Sequence, residues 1–68
     1  MQTQDPVIVC NKLRQSGYVL GRYCTYNGVR YAIASYPHYS DAGEPQVFLR
    51  PVMGGELFTA SVENISLI

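Results

Sequence analysis

A hairpin signal in residues 18 to 36 constrains the fold more than any other stretch of this chain. Two runs rich in tyrosine and β-branched residues flank Asn27-Gly28, a dipeptide that tolerates the positive φ angles of a type I′ turn. Because strand side chains alternate, this turn fixes two faces, one mostly apolar and one more polar. Gly21 inside the first run predicts a bulge or bend. The predicted cross-strand pairs are Tyr26 with Val29, Cys24 with Tyr31, Arg22 with Ile33 and Leu20 with Ser35 on the apolar face, and Thr25 with Arg30, Tyr23 with Ala32, Gly21 with Ala34 and Val19 with Tyr36 on the other.

Short strands are also predicted on both sides of the hairpin. The apolar run at residues 7 to 10, after Pro6, has high strand propensity and predicts a first strand, followed by a polar loop that ends at Gly17. Residues 37 to 45 contain two prolines and predict a long surface loop. The remaining predicted elements are a strand at 46 to 52, a turn at 53 to 56, a strand at 56 to 62, one 3-10 turn at 63 to 64 and a closing strand at 65 to 68.

These elements predict an all-β fold of five or six short strands with no substantial helix. A barrel is the economical arrangement for 68 residues, because closure removes exposed strand edges. The order of elements resembles that of SH3-like barrels. We therefore expect one small SH3-like domain over residues 1–68, with residues 1–5 frayed.

Composition excludes several classes of function. Five Lys plus Arg balance five Asp plus Glu, so no bulk field attracts nucleic acid or anionic lipid. No apolar run approaches the roughly 20 residues of a membrane helix, and the start lacks signal-peptide features, which predicts a cytoplasmic protein. Cys10 and Cys24 are expected as free thiols, and two cysteines with one histidine are too few for a structural metal site. No catalytic residue is identified.

The six tyrosines all fall between positions 18 and 39. Tyrosine combines a large contact area with a hydroxyl group, so exposed tyrosines are common at binding surfaces, although tyrosine is also an ordinary strand former. We therefore predict a non-enzymatic module that binds a protein partner, or a second copy of itself, through a tyrosine-rich sheet surface and the loop at 37 to 45. The predicted contact residues are Tyr23, Tyr36, His38 and Tyr39.

Arginines next to tyrosines leave nucleic-acid binding open as an alternative. Aromatic rings interleaved with arginine can stack bases and hold phosphates. The candidate residues for this alternative are Arg14, Arg22 and Arg30. The zero net charge favours a different interpretation, in which these arginines are solvent-exposed strand residues without a nucleic-acid ligand.

Residues 17 to 35 carry a resemblance to a known family. Gly-Arg-Tyr-Cys-Thr at 21 to 25 and Gly-Val-Arg-Tyr-Ala-Ile-Ala-Ser at 28 to 35 resemble a pattern in the plasmid-borne type II, trimethoprim-insensitive dihydrofolate reductases. The resemblance implies an SH3-like barrel and a homotetramer whose shared pore binds NADPH and dihydrofolate through a Val-Gln-Ile-Tyr run and a lysine. NADPH is a cofactor only under this reading.

Two alignments place that pore run differently. One puts it at Gln46, Val47 and Phe48, after Pro45, with Lys12 as the lysine. The other counts back from the C-terminus to residues 57 to 60, where no residue matches. The resemblance thus implies Lys12, Gln46, Val47 and Phe48 as pore residues, with the tyrosine of the family run replaced by Phe48.

Overall fold

The computed structural model describes residues 5–68, which form one helix and a six-stranded antiparallel sheet. In chain order the elements are α1 (Pro6–Gln15), β1 (Tyr23–Tyr26), β2 (Val29–Ile33), β3 (His38–Tyr39), β4 (Pro45–Pro51), β5 (Phe58–Ser61), a 3-10 turn (Val62–Asn64) and β6 (Ile65–Leu67). The fold is therefore mostly β, as the sequence predicts, with one short helix in addition. In the described part of the chain, no helix is long and apolar enough to cross a membrane.

The predicted first strand and polar loop are wrong, because residues 6 to 15 form α1. Asp5 caps the helix by accepting a hydrogen bond from the Val7 N–H at 2.9 Å, and Pro6 occupies the first turn. The helix ends in a Schellman motif. Gly17, at φ 109°, donates to the carbonyl of Arg14, and Tyr18 donates to that of Leu13. Both ends of the helix are thus fixed by hydrogen bonds that outweigh the strand propensity of residues 7 to 10.

The hairpin is confirmed in its turn and its register. Asn27 and Gly28 both have positive φ, 54° and 78°, and the β1–β2 pairs run from Tyr26 with Val29 to Tyr23 with Ala32. The expected bulge at Gly21 is present as well. Ile33 donates to the Arg22 carbonyl and accepts from the Gly21 N–H, both at 2.8 Å, so two residues oppose one. The predicted pairing stops there, and residues 18 to 20 lie outside the strands.

β2 and β3 both run along one edge of β4, with a break between them. β2 pairs with the C-terminal half of β4 and β3 with its first residues, so the predicted loop at 37 to 45 is wrong in its first part. At the break, the Ser35 Oγ accepts from the Phe48 N–H at 2.9 Å, where a backbone carbonyl would otherwise do so. The Ser35 hydroxyl therefore keeps the Phe48 N–H of β4 hydrogen-bonded at the point where Tyr36 and Pro37 leave the edge of the sheet.

The C-terminal third agrees with the sequence prediction. β5 pairs with the other edge of β4, the 3-10 turn follows, and β6 returns to lie beside β1. Along the sheet the order is therefore β5-β4-β2-β1-β6, with β3 beside β4. The antiparallel sheet curls into a half barrel around seven buried apolar side chains: Cys24, Ile33, Val47, Leu49, Ala60, Val62 and Ile65.

Candidate functional site

A groove of about 260 Å³ lies between α1 and the chain at 36 to 39. We call it the α1 groove. Positions 7, 10, 11 and 14 have the spacing of one helix face, so α1 supplies one continuous wall. The residues that line the groove are Pro6, Val7, Cys10, Asn11 and Arg14 on the helix, and Tyr36, Pro37 and Tyr39 opposite.

Arg14 and Tyr36 meet at one end of the groove. The guanidinium carbon of Arg14 lies 4.4 Å from the centre of the Tyr36 ring, which is the geometry of a cation–π contact. Both side chains also line a second, adjoining depression of about 400 Å³, together with Asn11, Gln15 and Val19. The Arg14–Tyr36 pair therefore forms a ridge between two concave surfaces, and 47% of the Tyr36 side chain is exposed.

His38 holds the Tyr36 segment against β4. Its Nδ1 lies 3.2 Å from the Tyr36 carbonyl oxygen and its Nε2 lies 3.3 Å from the Gln46 amide nitrogen. A carbonyl oxygen only accepts, so Nδ1 donates to the Tyr36 carbonyl, and the Gln46 side chain lies within hydrogen-bond distance of Nε2. The His38 ring also lies over Phe48, with ring centres 5.5 Å apart. His38 is therefore a positioning residue for Tyr36 rather than part of the groove lining.

The predicted contact residues lie on two different surfaces. Tyr36 and Tyr39 line the α1 groove, whereas Tyr23 and His38 lie on the side of the sheet that faces away from the core. We call this side the outer face. It is defined by the cross-strand partners that alternate with the buried positions: Tyr23, Thr25, Arg30, Ala32, Ala34, His38, Gln46, Phe48, Arg50, Thr59, Ser61 and Ser66.

The three arginines of the nucleic-acid alternative are also separated. Arg14 contacts Tyr36 in the α1 groove, and Arg22 is half-buried and donates from Nε to the Ile68 carbonyl oxygen. Only Arg30 lies on the outer face, where it pairs with Thr25. Arg50, which is not among the three arginines suggested by the sequence, lies opposite Ala32 on the same face. The signal was available, because Arg50 alternates with the apolar Leu49 in a predicted strand.

The four residues implied for a reductase pore do not share one surface of the chain. Lys12 is exposed on α1, and Val47 is fully buried in the core. Phe48 lies on the outer face, and Gln46 is bound to His38 on that face. In the alternative alignment, residues 57 to 60 coincide with the start of β5, next to β4. The reductase activity stays a prediction.

The thiols differ in their surroundings. Cys10 is half-buried in the groove wall, and Cys24 is fully buried, which raises the pKa of the Cys24 thiol. Both are free. Within residues 5–68, no three His, Cys, Asp or Glu side chains come together as a metal site would require.

No family model, curated protein or solved structure matches the chain.

Proposed function

We propose that this chain is a small non-enzymatic interaction module of the SH3-like class, and that it binds a short segment of a protein partner in the α1 groove. The SH3-like assignment is supported by the order of the elements after the hairpin. A second antiparallel strand pair, one 3-10 turn and a short closing strand beside β1 follow one another. The first strand of the expected order is replaced by α1.

One observation carries the functional proposal. Two of the predicted contact residues, Tyr36 and Tyr39, lie in the same groove, opposite an exposed apolar helix surface. Val7 in that wall is 65% exposed. Aromatic and aliphatic side chains around a concave surface are the usual setting in which a partner residue is desolvated and held.

Charge defines the chemistry of the partner segment. Among residues 5–68, Arg14 is the only charged side chain that lines the groove, so a carboxylate is the complementary group. The apolar wall at Val7 and Tyr39 complements an aliphatic or aromatic side chain. The proposed ligand is therefore a short peptide segment in which an apolar residue lies next to Asp or Glu.

The free thiols support a cytoplasmic setting for this module, since structural disulfides are rare there.

Selection from a random peptide display library on the immobilised protein tests the proposal. The wild-type protein is expected to enrich peptides with an apolar residue next to an acidic one. Because Arg14 sets the charge preference, Arg14→Glu should move the selected charge from acidic to basic. Lys12→Glu makes a like change of charge on α1 outside the groove lining, and it should leave the selected sequences unchanged.

Three outcomes would overturn the proposal. The first is no enrichment by the wild-type protein. The second is enrichment that persists in the Tyr36→Ala and Tyr39→Ala variants. The third is a wild-type oligomer, measured by light scattering, that becomes a monomer in either variant, because the groove would then be an interface between copies of the chain.

A further inference from the structure

In the described part of the chain, the outer face carries positive charge and no carboxylate. Arg30 and Arg50 are both exposed there, and none of the strands contains Asp or Glu. The five acidic residues, Asp5, Asp41, Glu44, Glu56 and Glu63, all lie in turns or at helix ends. A chain with zero net charge thus segregates its charge, and one sheet face becomes locally basic.

Two aromatic side chains are open to solvent on the same face. Tyr23 is 54% exposed and Phe48 is 37% exposed. Their cross-strand neighbours Ala32 and Ala34 are small and leave the rings open, although the His38 ring lies against Phe48, with ring centres 5.5 Å apart, and covers part of it. From a strand spacing of about 4.8 Å and a rise of about 3.4 Å per residue, the Cα atoms of Tyr23 and Phe48 lie about 12 Å apart. The Tyr23 ring and the solvent-facing part of the Phe48 ring can therefore each receive a separate planar group.

Hydroxyl groups complete the surface. Thr25 and Ser66 are cross-strand partners beside Arg30, and Thr59 lies opposite Phe48. Arginine, serine and threonine side chains are the usual donors to phosphate oxygens, and aromatic rings stack on bases whatever their sequence. A second copy of the chain fits this face poorly, since a symmetric contact would bring Arg30 and Arg50 against one another.

We propose that the outer face binds single-stranded nucleic acid, with bases stacked on Tyr23 and Phe48 and phosphates held by Arg30 and Arg50. This function is separate from peptide binding in the α1 groove. Of the three arginines that the sequence suggested it uses only Arg30, and it adds Arg50. With two phosphate contacts, a salt slope of about −1.4 is expected, so affinity should fall about sevenfold between about 50 mM and about 200 mM salt.

Fluorescence anisotropy with a labelled oligothymidylate of about 12 nucleotides tests the proposal. We expect saturable binding at low salt that weakens at least fivefold in each of Arg30→Glu and Arg50→Glu. Lys12→Glu, the same reversal of charge outside the face, should bind as the wild type does. Tyr23→Ala should weaken binding at least fivefold, and Tyr23→Phe, which keeps the ring, should restore it.

Each contrary outcome has a definite meaning. No binding at low salt overturns the proposal. Equal weakening by Lys12→Glu and Arg30→Glu also overturns it, because binding would then reflect net charge alone. An oligoglutamate peptide that binds the face and displaces the oligonucleotide at equal concentration would make the face a site for acidic protein segments instead. None of these outcomes affects the peptide selection by the groove, so the two proposals fail separately.

Discussion

The Nε of Arg22 donates a hydrogen bond to the backbone carbonyl of Ile68 at 3.1 Å, across 46 residues of sequence. The same guanidinium lies against Gly17, where a Cβ atom would come within 2.6 Å of it. Three parts of the fold therefore meet at one side chain, namely the end of α1, the entry to the hairpin and the residue after β6.

Removal of the Arg22 side chain should destabilise the fold. Arg22→Ala loses the hydrogen bond to Ile68 and the packing of the arginine stem, which together contribute about 1–2 kcal/mol. Urea unfolding followed by circular dichroism gives the free energy of unfolding. Arg30→Ala, at an exposed strand position, should change this free energy by less than about 0.5 kcal/mol. Equal losses in both variants would contradict a structural role for Arg22.

A methyl group at Gly17 should cost more than one at Gly21. Both glycines have positive φ, 109° and 91°, so alanine is strained at either position by about 1 kcal/mol or more. A Cβ at Gly21 meets no atom within 4 Å, whereas one at Gly17 displaces the Arg22 guanidinium. The expected order of stability in urea is wild type, Gly21→Ala, then Gly17→Ala.

A double-mutant cycle isolates the steric part of the Gly17 effect. In an Arg22→Ala background the guanidinium is already gone and only the contact of the new Cβ with Leu67 at 3.2 Å remains, so Gly17→Ala should cost less than it does in the wild-type background. If the cost of Gly17→Ala is the same in both backgrounds, the contact with Arg22 does not contribute.

Loss of the N-terminal cap of α1 should be measurable as faster amide hydrogen exchange in the first turns of the helix. Asp5→Ala removes the acceptor for the Val7 N–H and should destabilise the chain by about 1 kcal/mol, whereas Asp5→Asn retains an acceptor and should cost much less. Amide hydrogen exchange at residues 7 to 10 is the direct readout. Exchange that is equally fast in both variants would show that charge, rather than the capping bond, stabilises this end.

The helix shows why part of the fold escapes sequence analysis. Its N-cap and Schellman glycine are visible as Asp5-Pro6 and Gly17, but the run of β-branched residues between them favours a strand by local propensity. The capping hydrogen bonds and the packing of Leu13 against the core stabilise the helix over the strand. The α1 groove could not be predicted, because one of its walls is this helix.

The sheet was more accessible to prediction, since its register follows from one turn. Asn27-Gly28 correctly placed Cys24 and Ile33 on one face of the hairpin and Tyr23 on the other, and the structure shows that the first of these faces is the buried one. Sequence alone did not show which strand lies next to β2. That neighbour is β4, and the pairing puts Arg50 beside Ala32 and Tyr23, so the charge and the rings of the outer face became visible only with the topology.

Burial of the Cys24 thiol should make stability depend on alkaline pH. The folded pKa is raised above its unfolded value of 9.0 by desolvation. Above that value the unfolded chain loses this proton more readily than the native chain, so the free energy of unfolding should fall as pH rises through about 9. Urea midpoints at several pH values, compared with those of Cys24→Ala, measure the effect. An identical decline in both proteins would assign it to other groups.

The pairing of β1 with β6 has a kinetic consequence. Cys24 lies opposite Leu67, so this ladder closes a loop of about forty residues, whereas β1–β2 and β4–β5 form between near neighbours in the chain. Closing a long loop costs entropy before its contacts form. We therefore expect β6 to dock after the transition state for folding, so that substitutions in β6 accelerate unfolding and leave the folding rate nearly unchanged.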